Sequence, residues 1–215
     1  MPVRKIKAGY ANLTSKVPST KLNRSVSAES SLERDFYVLL DNDENIEHFE
    51  EQPFTIEGIG TIYTPDVVAH FSNGSSVIYE VKYRSELYKH WKKLKPKFKS
   101  AIKFGKDNGY QFKIVTEQEI RTTKLKNIKF ITHFLRTVSQ TEDATRQVLA
   151  KTLIDFHSAS PLELLAASFS CKTKRAEAAP VLWRMIADGW VEVDLDYPLT
   201  MHTQLSISNE IMEVL

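Results

Sequence analysis

At 215 residues the chain has room for one domain of ordinary size and a small second one, and a hydrophobic fraction of 42% is enough to pack both. No apolar run approaches the ~18 residues of a membrane span, and the basic, polar start lacks the apolar centre of a signal peptide; a cytoplasmic chain with no membrane partner is expected. Cys171 is alone, which excludes an internal disulfide or thiolate cluster, and the six His show no metal-ligand spacing.

The formal net charge of +2 hides a strong segregation. Residues 1–26 carry six Lys or Arg and no acid, and read as a basic arm that orders on nucleic acid or on a partner. Residues 29–57 carry ten acids against one Arg, and residues 82–106 ten Lys or Arg against one Glu. In chain order, the first element is a helix beginning between Ser27 and Ser31, with Leu32, Phe36, Leu39 and Leu40 as its apolar stripe. Glu33 falls at the edge of that stripe. It fits a capping box with Ser30 if the helix starts late, and a carboxylate leaning into a site beside a sheet if it starts early. Glu29, one turn earlier, is the weaker candidate.

The next segment carries the chemistry. Residues 61–70 read as one strand, and Val77-Ile78-Tyr79-Glu80-Val81-Lys82-Tyr83 as its β-rich partner. Thr64-Pro65-Asp66 followed by Glu80-Val81-Lys82 offers two carboxylates and an ammonium, the set that metal-dependent phosphodiester cleavage needs. Carboxylates hold a hard divalent cation. The ammonium of Lys82 favours hydroxide at the attacking water and steadies the charge that builds on phosphate. With a side-chain period of two, Glu80 and Lys82 share a face, and the turn decides whether Asp66 joins them. A two-residue Asn73-Gly74 loop sets Asp66 opposite Val81, on the wrong face. A three-residue Ser72-Asn73-Gly74 loop with left-handed Gly74 sets it opposite Glu80. The nuclease reading requires the second; the alternative is a hairpin with a charged solvent face.

A lysine-rich helix follows, interrupted or started at Pro96 and stopped by Gly109. It interleaves Lys89, Lys92, Lys93, Lys95, Lys97 and Lys99 with Tyr88, Trp91 and Phe98; the lysines are expected to face DNA and the aromatics the core. Residues 111–116 read as a strand and 120–136 as a helix-rich connection. The order predicts a central mixed sheet flanked by helices across residues 27–138. From residue 139 the character changes. A helix over 142–156 precedes Ser160-Pro161-Leu162-Glu163, a strong helix start. A further helix over 174–188, Gly189 and a strand at Trp190-Val191-Glu192-Val193 complete a winged-helix pattern over 139–215. Lys172, Lys174 and Arg175 would meet DNA in that pattern, and a protein-docking role is the alternative. Cys171 is expected to be half-buried in the turn before them.

Taken together, Ser31-Leu32-Glu33-Arg34-Asp35-Phe36, Phe49-Glu50-Glu51-Gln52-Pro53-Phe54, Tyr63-Thr64-Pro65-Asp66, Glu80-Val81-Lys82 and Phe112-Lys113-Ile114-Val115-Thr116 resemble the TnsA endonuclease family over about residues 25–135. That family is the 5′-end-cleaving subunit of heteromeric cut-and-paste transposases. The resemblance implies an α/β, restriction-endonuclease-like sheet with a C-terminal winged-helix domain, and Mg²⁺ as cofactor with Mn²⁺ able to substitute. It also implies three partners: the DNA of transposon ends, a DDE-type transposase subunit and an AAA+ ATPase regulator. By position it carries the catalytic set onto Glu33, Asp66, Glu80 and Lys82. In the mechanism that follows, Asp66 and Glu80 ligate the metal with the Val81 carbonyl as an extra ligand, and Glu33 ligates a second metal or orients its water. A stand-alone nuclease of the same superfamily and a non-catalytic DNA-binding assembly factor are the competing expectations.

Overall fold

The computed structural model describes residues 15–58, 61–136 and 142–213. Contacts divide the chain between Thr122 and Thr123, earlier than the 138/139 junction expected from composition. The reason lies in the helix-rich connection, whose side chains pack into the C-terminal unit. Asn127 Nδ2 donates to the carbonyls of Leu195 and Tyr197 at 2.8 and 2.7 Å, and the Phe130 ring lies 5.3 Å from Trp183. Among the described residues no helix is long and apolar enough to cross a membrane.

The described part of the N-terminal unit begins with a hairpin, β1 (Ser15–Ser19) and β2 (Arg24–Ala28), which takes up residues 15–26 of the basic arm expected over 1–26. Two of the arm's cations are consumed internally: Lys21 donates to the Ile46 carbonyl at 2.6 Å, and Arg24 forms a bidentate pair with Glu51 at 2.6 Å. Arg4, Lys5 and Lys7 of the expected arm lie outside the described residues. Helix α1 (Ser31–Asp41) follows, with Ser30 as N-cap. Its buried face is Leu32, Phe36, Tyr37 and Leu40; Tyr37 takes the place expected of Leu39.

The central sheet is built from β3 (Ile46–Glu51), β6 (Val67–Phe71), β7 (Ser76–Val81) and β8 (Tyr110–Val115). Their spatial order is β3-β6-β7-β8, antiparallel except for the parallel β7–β8 pair. Between β3 and β6 the chain makes a separate ribbon, β4 (Ile56–Gly58) and β5 (Thr61–Tyr63). The expected continuous strand over 61–70 is therefore broken at Thr64-Pro65-Asp66, where Pro65 has no N–H to give a ladder. Helices cover both faces of the sheet. Phe36 and Tyr37 of α1 pack on Tyr79 and Phe49, with centroids 5.0 and 6.0 Å apart. On the other face Phe98 of α2 (Arg84–Asn108) packs on Phe112 at 5.7 Å.

Helix α2 runs unbroken through Pro96, contrary to the expected interruption. Its fully buried residues, Phe98, Ala101 and Gly105, all lie beyond Pro96, while the N-terminal half has only half-buried Leu87 and Leu94. The missing N–H of Pro96 leaves the carbonyl of exposed Lys92 to solvent. Gly109, at φ +78°, ends the helix. Short α3 (Glu117–Ile120) carries a complete Thr116/Glu119 capping box.

In the C-terminal unit, α4 (Thr123–His133), α5 (Glu142–Phe156), α6 (Pro161–Ser168) and α7 (Lys172–Ala187) precede a two-stranded pair, β9 (Val191–Glu192) with β10 (Ser206–Ile207), and a final turn α8 (Asn209–Met212). Ser160 and Glu163 form the expected capping box with Pro161 at the first turn of α6. Leu149, Leu153, Leu164, Leu182, Met185 and Leu205 make the fully buried centre. A charge network braces the end of α7: Arg146 bonds Glu142 at 3.0 Å and also Asp188, and Arg184 bonds Glu142 at 3.1 Å.

Helix α2 and β8 approach closely at Gly105, where an added Cβ would lie 2.6 Å from the Tyr110 carbonyl oxygen. Backbone cannot yield as a side-chain tip does. Gly105→Ala is expected to destabilise the protein by about 1–3 kcal/mol, read as a lowered urea midpoint; an unchanged midpoint would contradict this packing.

Candidate active site

The β6–β7 turn decides the site. Gly74 N–H donates to the Phe71 carbonyl and Phe71 N–H to the Ser75 carbonyl, both at 2.9 Å, and Gly74 has φ +80°. This is the three-residue Ser72-Asn73-Gly74 loop. Its register sets Val67 opposite Tyr79, and by extension Asp66 opposite Glu80. Asp66, although it precedes β6, is held at the end of β7: its Oδ2 accepts from Val81 N–H at 2.8 Å and from Lys82 Nζ at 3.0 Å. Lys82 leaves the strand with its own N–H on the Val115 carbonyl. Its ammonium spans Asp66, Glu80 Oε1 at 3.1 Å and the Val81 carbonyl at 3.0 Å. Asp66, Glu80, Lys82 and the Val81 oxygen thus converge as the spacing requires.

Glu33 combines the two roles that the sequence left as alternatives. The helix begins late, and Ser30 Oγ accepts from Glu33 N–H as a cap. The Glu33 carboxylate itself accepts from Glu29 N–H at 2.9 Å and Ser30 Oγ at 3.0 Å, which turns it toward Asp66 and Lys82 closely enough for both to influence its protonation. Glu29 stands one step back, accepting from Gln52 Nε2 at 3.0 Å.

Two supporting residues escape a motif reading. Tyr63, buried at the end of β5, donates its hydroxyl to Glu80 Oε2. It lies outside any strand that pairs with β7, so no periodicity points to it. Gln52, at φ +45°, donates its N–H to the Asp66 carbonyl at 3.0 Å, which tethers the strand break that bears Asp66. The Gln52-Pro53 pair was the available signal, because a turn there redirects β3.

Burial is the main electrostatic force in the site. It pushes the Glu80 carboxyl up to about 7, with Asp66 adding to the effect and Lys82 and Tyr63 opposing it. Glu33 is likewise pushed up to about 7, first by burial and then by Asp66. Burial works against the Lys82 ammonium, but Asp66 and Glu80 outweigh it and its pKa is raised. The cluster therefore carries more carboxylate than one lysine neutralises. Its donors toward the centre are oxygens only, and two of its acids are reluctant to ionise without a further positive charge. That chemistry fits a hard divalent cation.

The candidate DNA-facing lysines are solvent-exposed at Lys89, Lys92, Lys93, Lys95 and Lys99, and Lys97 is half-buried. The aromatics beside them do not follow one rule. Phe98 is buried as expected, but Tyr88 is 91% exposed and Trp91 46% exposed. Together with Arg84, Leu87 and Ile114 they line an open cleft of about 1080 Å³. In the C-terminal unit Lys172 and Lys174 are exposed. Arg175 is turned inward, Nε donating to the Phe169 carbonyl at 2.6 Å to brace the α6–α7 turn. Cys171 is exposed, not half-buried, and the Lys174 and Thr173 backbone N–H groups above it lower its thiol pKa.

The raised carboxyls have a thermodynamic consequence. A group that holds its proton more tightly folded than unfolded favours the fold below its unfolded pKa and loses that contribution as pH rises through the folded value. The metal-free protein should lose thermal stability between about pH 4.5 and 7 through Glu33 and Glu80. The Glu33→Gln/Glu80→Gln double variant should show a flatter dependence in thermal melts; a wild-type profile in that variant would refute the assignment.

Residues 43–117 match the family model described as TnsA-like endonuclease N terminal, a segment that includes Gln52, Tyr63, Asp66, Glu80 and Lys82. No curated protein matches the chain. That match, and a mixed sheet whose Asp66, Glu80 and Lys82 converge at one end, identify residues 43–117 as a TnsA-like endonuclease N-terminal domain.

Proposed function

We propose that this chain is the DNA endonuclease subunit of a heteromeric transposase, hydrolysing the 5′ strand at transposon ends while a DDE-type partner acts on the 3′ strand and an AAA+ ATPase regulates the assembly. The observation that carries this reading is the bridging of Asp66 and Glu80 by Lys82, at 3.0 and 3.1 Å, at the open end of a mixed sheet. The TnsA-like match over residues 43–117 suggests the transposition context, and the cytoplasm is the compartment that context implies.

Asp66, Glu80 and the Val81 carbonyl, with Glu33 alongside, would be the oxygen donors for Mg²⁺, or Mn²⁺ in its place. When bound, that ion supplies Lewis-acid polarisation of the phosphate and a lowered pKa for the attacking water. Lys82, kept charged by its carboxylate neighbours, sets a cation where negative charge grows on the phosphate. Tyr63 keeps its proton, because burial and then Glu80 raise its pKa, and so holds Glu80 Oε2 in one orientation. Glu33 positions water from the α1 side. Helix α2 begins at Arg84, two residues beyond Lys82, and its exposed lysines carry the DNA backbone away from the scissile bond. The helix order and the short β9/β10 pair support a winged-helix reading of residues 139–215, with Lys172 and Lys174 toward DNA.

Strand-resolved cleavage of a transposon-end duplex in Mg²⁺, with and without the cognate transposase, tests the proposal. Partner-dependent 5′-strand cutting is expected, reduced at least ~10²-fold in Lys82→Ala and Asp66→Ala without loss of fold. Cutting by the lone protein would assign a stand-alone nuclease, and no cutting in any combination a DNA-binding scaffold. Replacing Lys89, Lys92 and Lys93 together by Ala should lower the slope of log affinity against log salt by about 2.7 on duplex DNA; an unchanged slope would take DNA off this helix.

A further inference from the structure

A second group of ligating side chains lies on the sheet face that α2 packs against. His70 of β6 stands directly opposite His48 of β3, and the two rings stack at 4.3 Å with planes 17° apart. Glu50, two residues along β3 from His48, projects from the same face. One ligand atom from each of the three residues lies within 4.8 Å of the other two. Along β6, His70 is four residues from Asp66, about 13 Å at the ordinary rise of a strand, so this cluster is separate from the carboxylate site.

Two features indicate a built arrangement. The β3–β6 register shifts between Ile46 and His48, and this bulge brings His48 into line with His70. Ser76, paired with His70 across the sheet, has its Oγ 2.8 Å from His70 Nδ1. With Nδ1–H donating to that oxygen, Nε2 presents its lone pair outward, which is how metal-binding imidazoles are commonly oriented.

We propose that His48, Glu50 and His70 form a site for a late first-row divalent cation, Zn²⁺ by preference, with a fourth position open to water. Two imidazoles and one carboxylate are borderline-soft donors that suit Zn²⁺ and discriminate against Mg²⁺, whereas the Asp66/Glu80 site offers oxygen alone. Because its ligands come from two strands, the ion clips edge strand β3 to β6. The sequence hides this site: the ligands lie 22 residues apart and only the strand pairing unites them.

Calorimetric titration of the full chain with ZnCl₂ in excess Mg²⁺ tests the proposal, with Co²⁺ absorption as a second readout of coordination. Uptake of one ion is expected. Affinity should fall about 100-fold in His48→Ala or His70→Gln, and about tenfold in Ser76→Ala, with recovery in Ser76→Thr. Circular dichroism identifies any variant that fails to fold. Glu80→Gln should keep the wild-type Zn²⁺ affinity, which separates this site from the proposed catalytic one. Absence of Zn²⁺ uptake by the wild type, unchanged uptake in both histidine variants, or loss of uptake in Glu80→Gln would each overturn it.

Discussion

One oxygen atom, Asp66 Oδ2, organises the N-terminal unit. It joins a residue lying before β6 to the last N–H of β7 and to the Lys82 ammonium. Its backbone carbonyl is meanwhile engaged by Gln52 N–H at the end of β3. A strand break in mid-sheet would ordinarily leave polar groups without partners, which is costly when buried. Here the break is bonded on both sides, to β3 by its carbonyl and to β7 by its side chain. The same bonds aim Asp66 at Glu80, so the sheet repair and the site geometry are one arrangement.

The electrostatics follow from that closeness. Burying Glu80 beside Asp66 disfavours its charge, and Lys82 and Tyr63 only partly compensate. Glu33 adds a third carboxyl from α1, the opposite side of the sheet from α2. Were all three ionised, a single lysine would leave the cluster with a net negative charge, an unstable state for buried groups unless protons or a cation join them. A site of this kind stores a preference for cations in the fold itself.

Helix α2 shows how one element can serve two environments. Its C-terminal half is anchored by Phe98, Ala101 and Gly105 against β8. The half before Pro96 has no fully buried residue, only half-buried Leu87 and Leu94, yet lysines and leucines have good helix propensity, and the anchored turns supply the nucleus that an isolated helix lacks. The outcome is a basic, aromatic-bearing rod that begins two residues beyond Lys82. Tyr88 and Trp91 are exposed there, on the wall of the cleft they share with Ile114 of β8.

The sequence by itself determined the elements whose signals are local. The Ser160-Pro161-x-Glu163 start of α6, the Gly109 stop of α2 and the apolar stripe of α1 rest on caps and periodicity within a few residues. It also reduced the central question to the parity of one turn, because Asp66 could meet Glu80 only across a three-residue loop. Which loop formed was a tertiary matter: the observed register pairs Val67 with Tyr79 and Ala69 with Val77 on the α1 face and Val68 with Ile78 on the other, and all six are buried. Tertiary structure likewise drew Lys21 and Arg24 into the body of the protein, brought Tyr63 from a separate ribbon onto Glu80, and aligned His48 with His70 through a bulge. These contacts join residues 17 to 27 positions apart, and no local pattern encodes a meeting that depends on how strands pair.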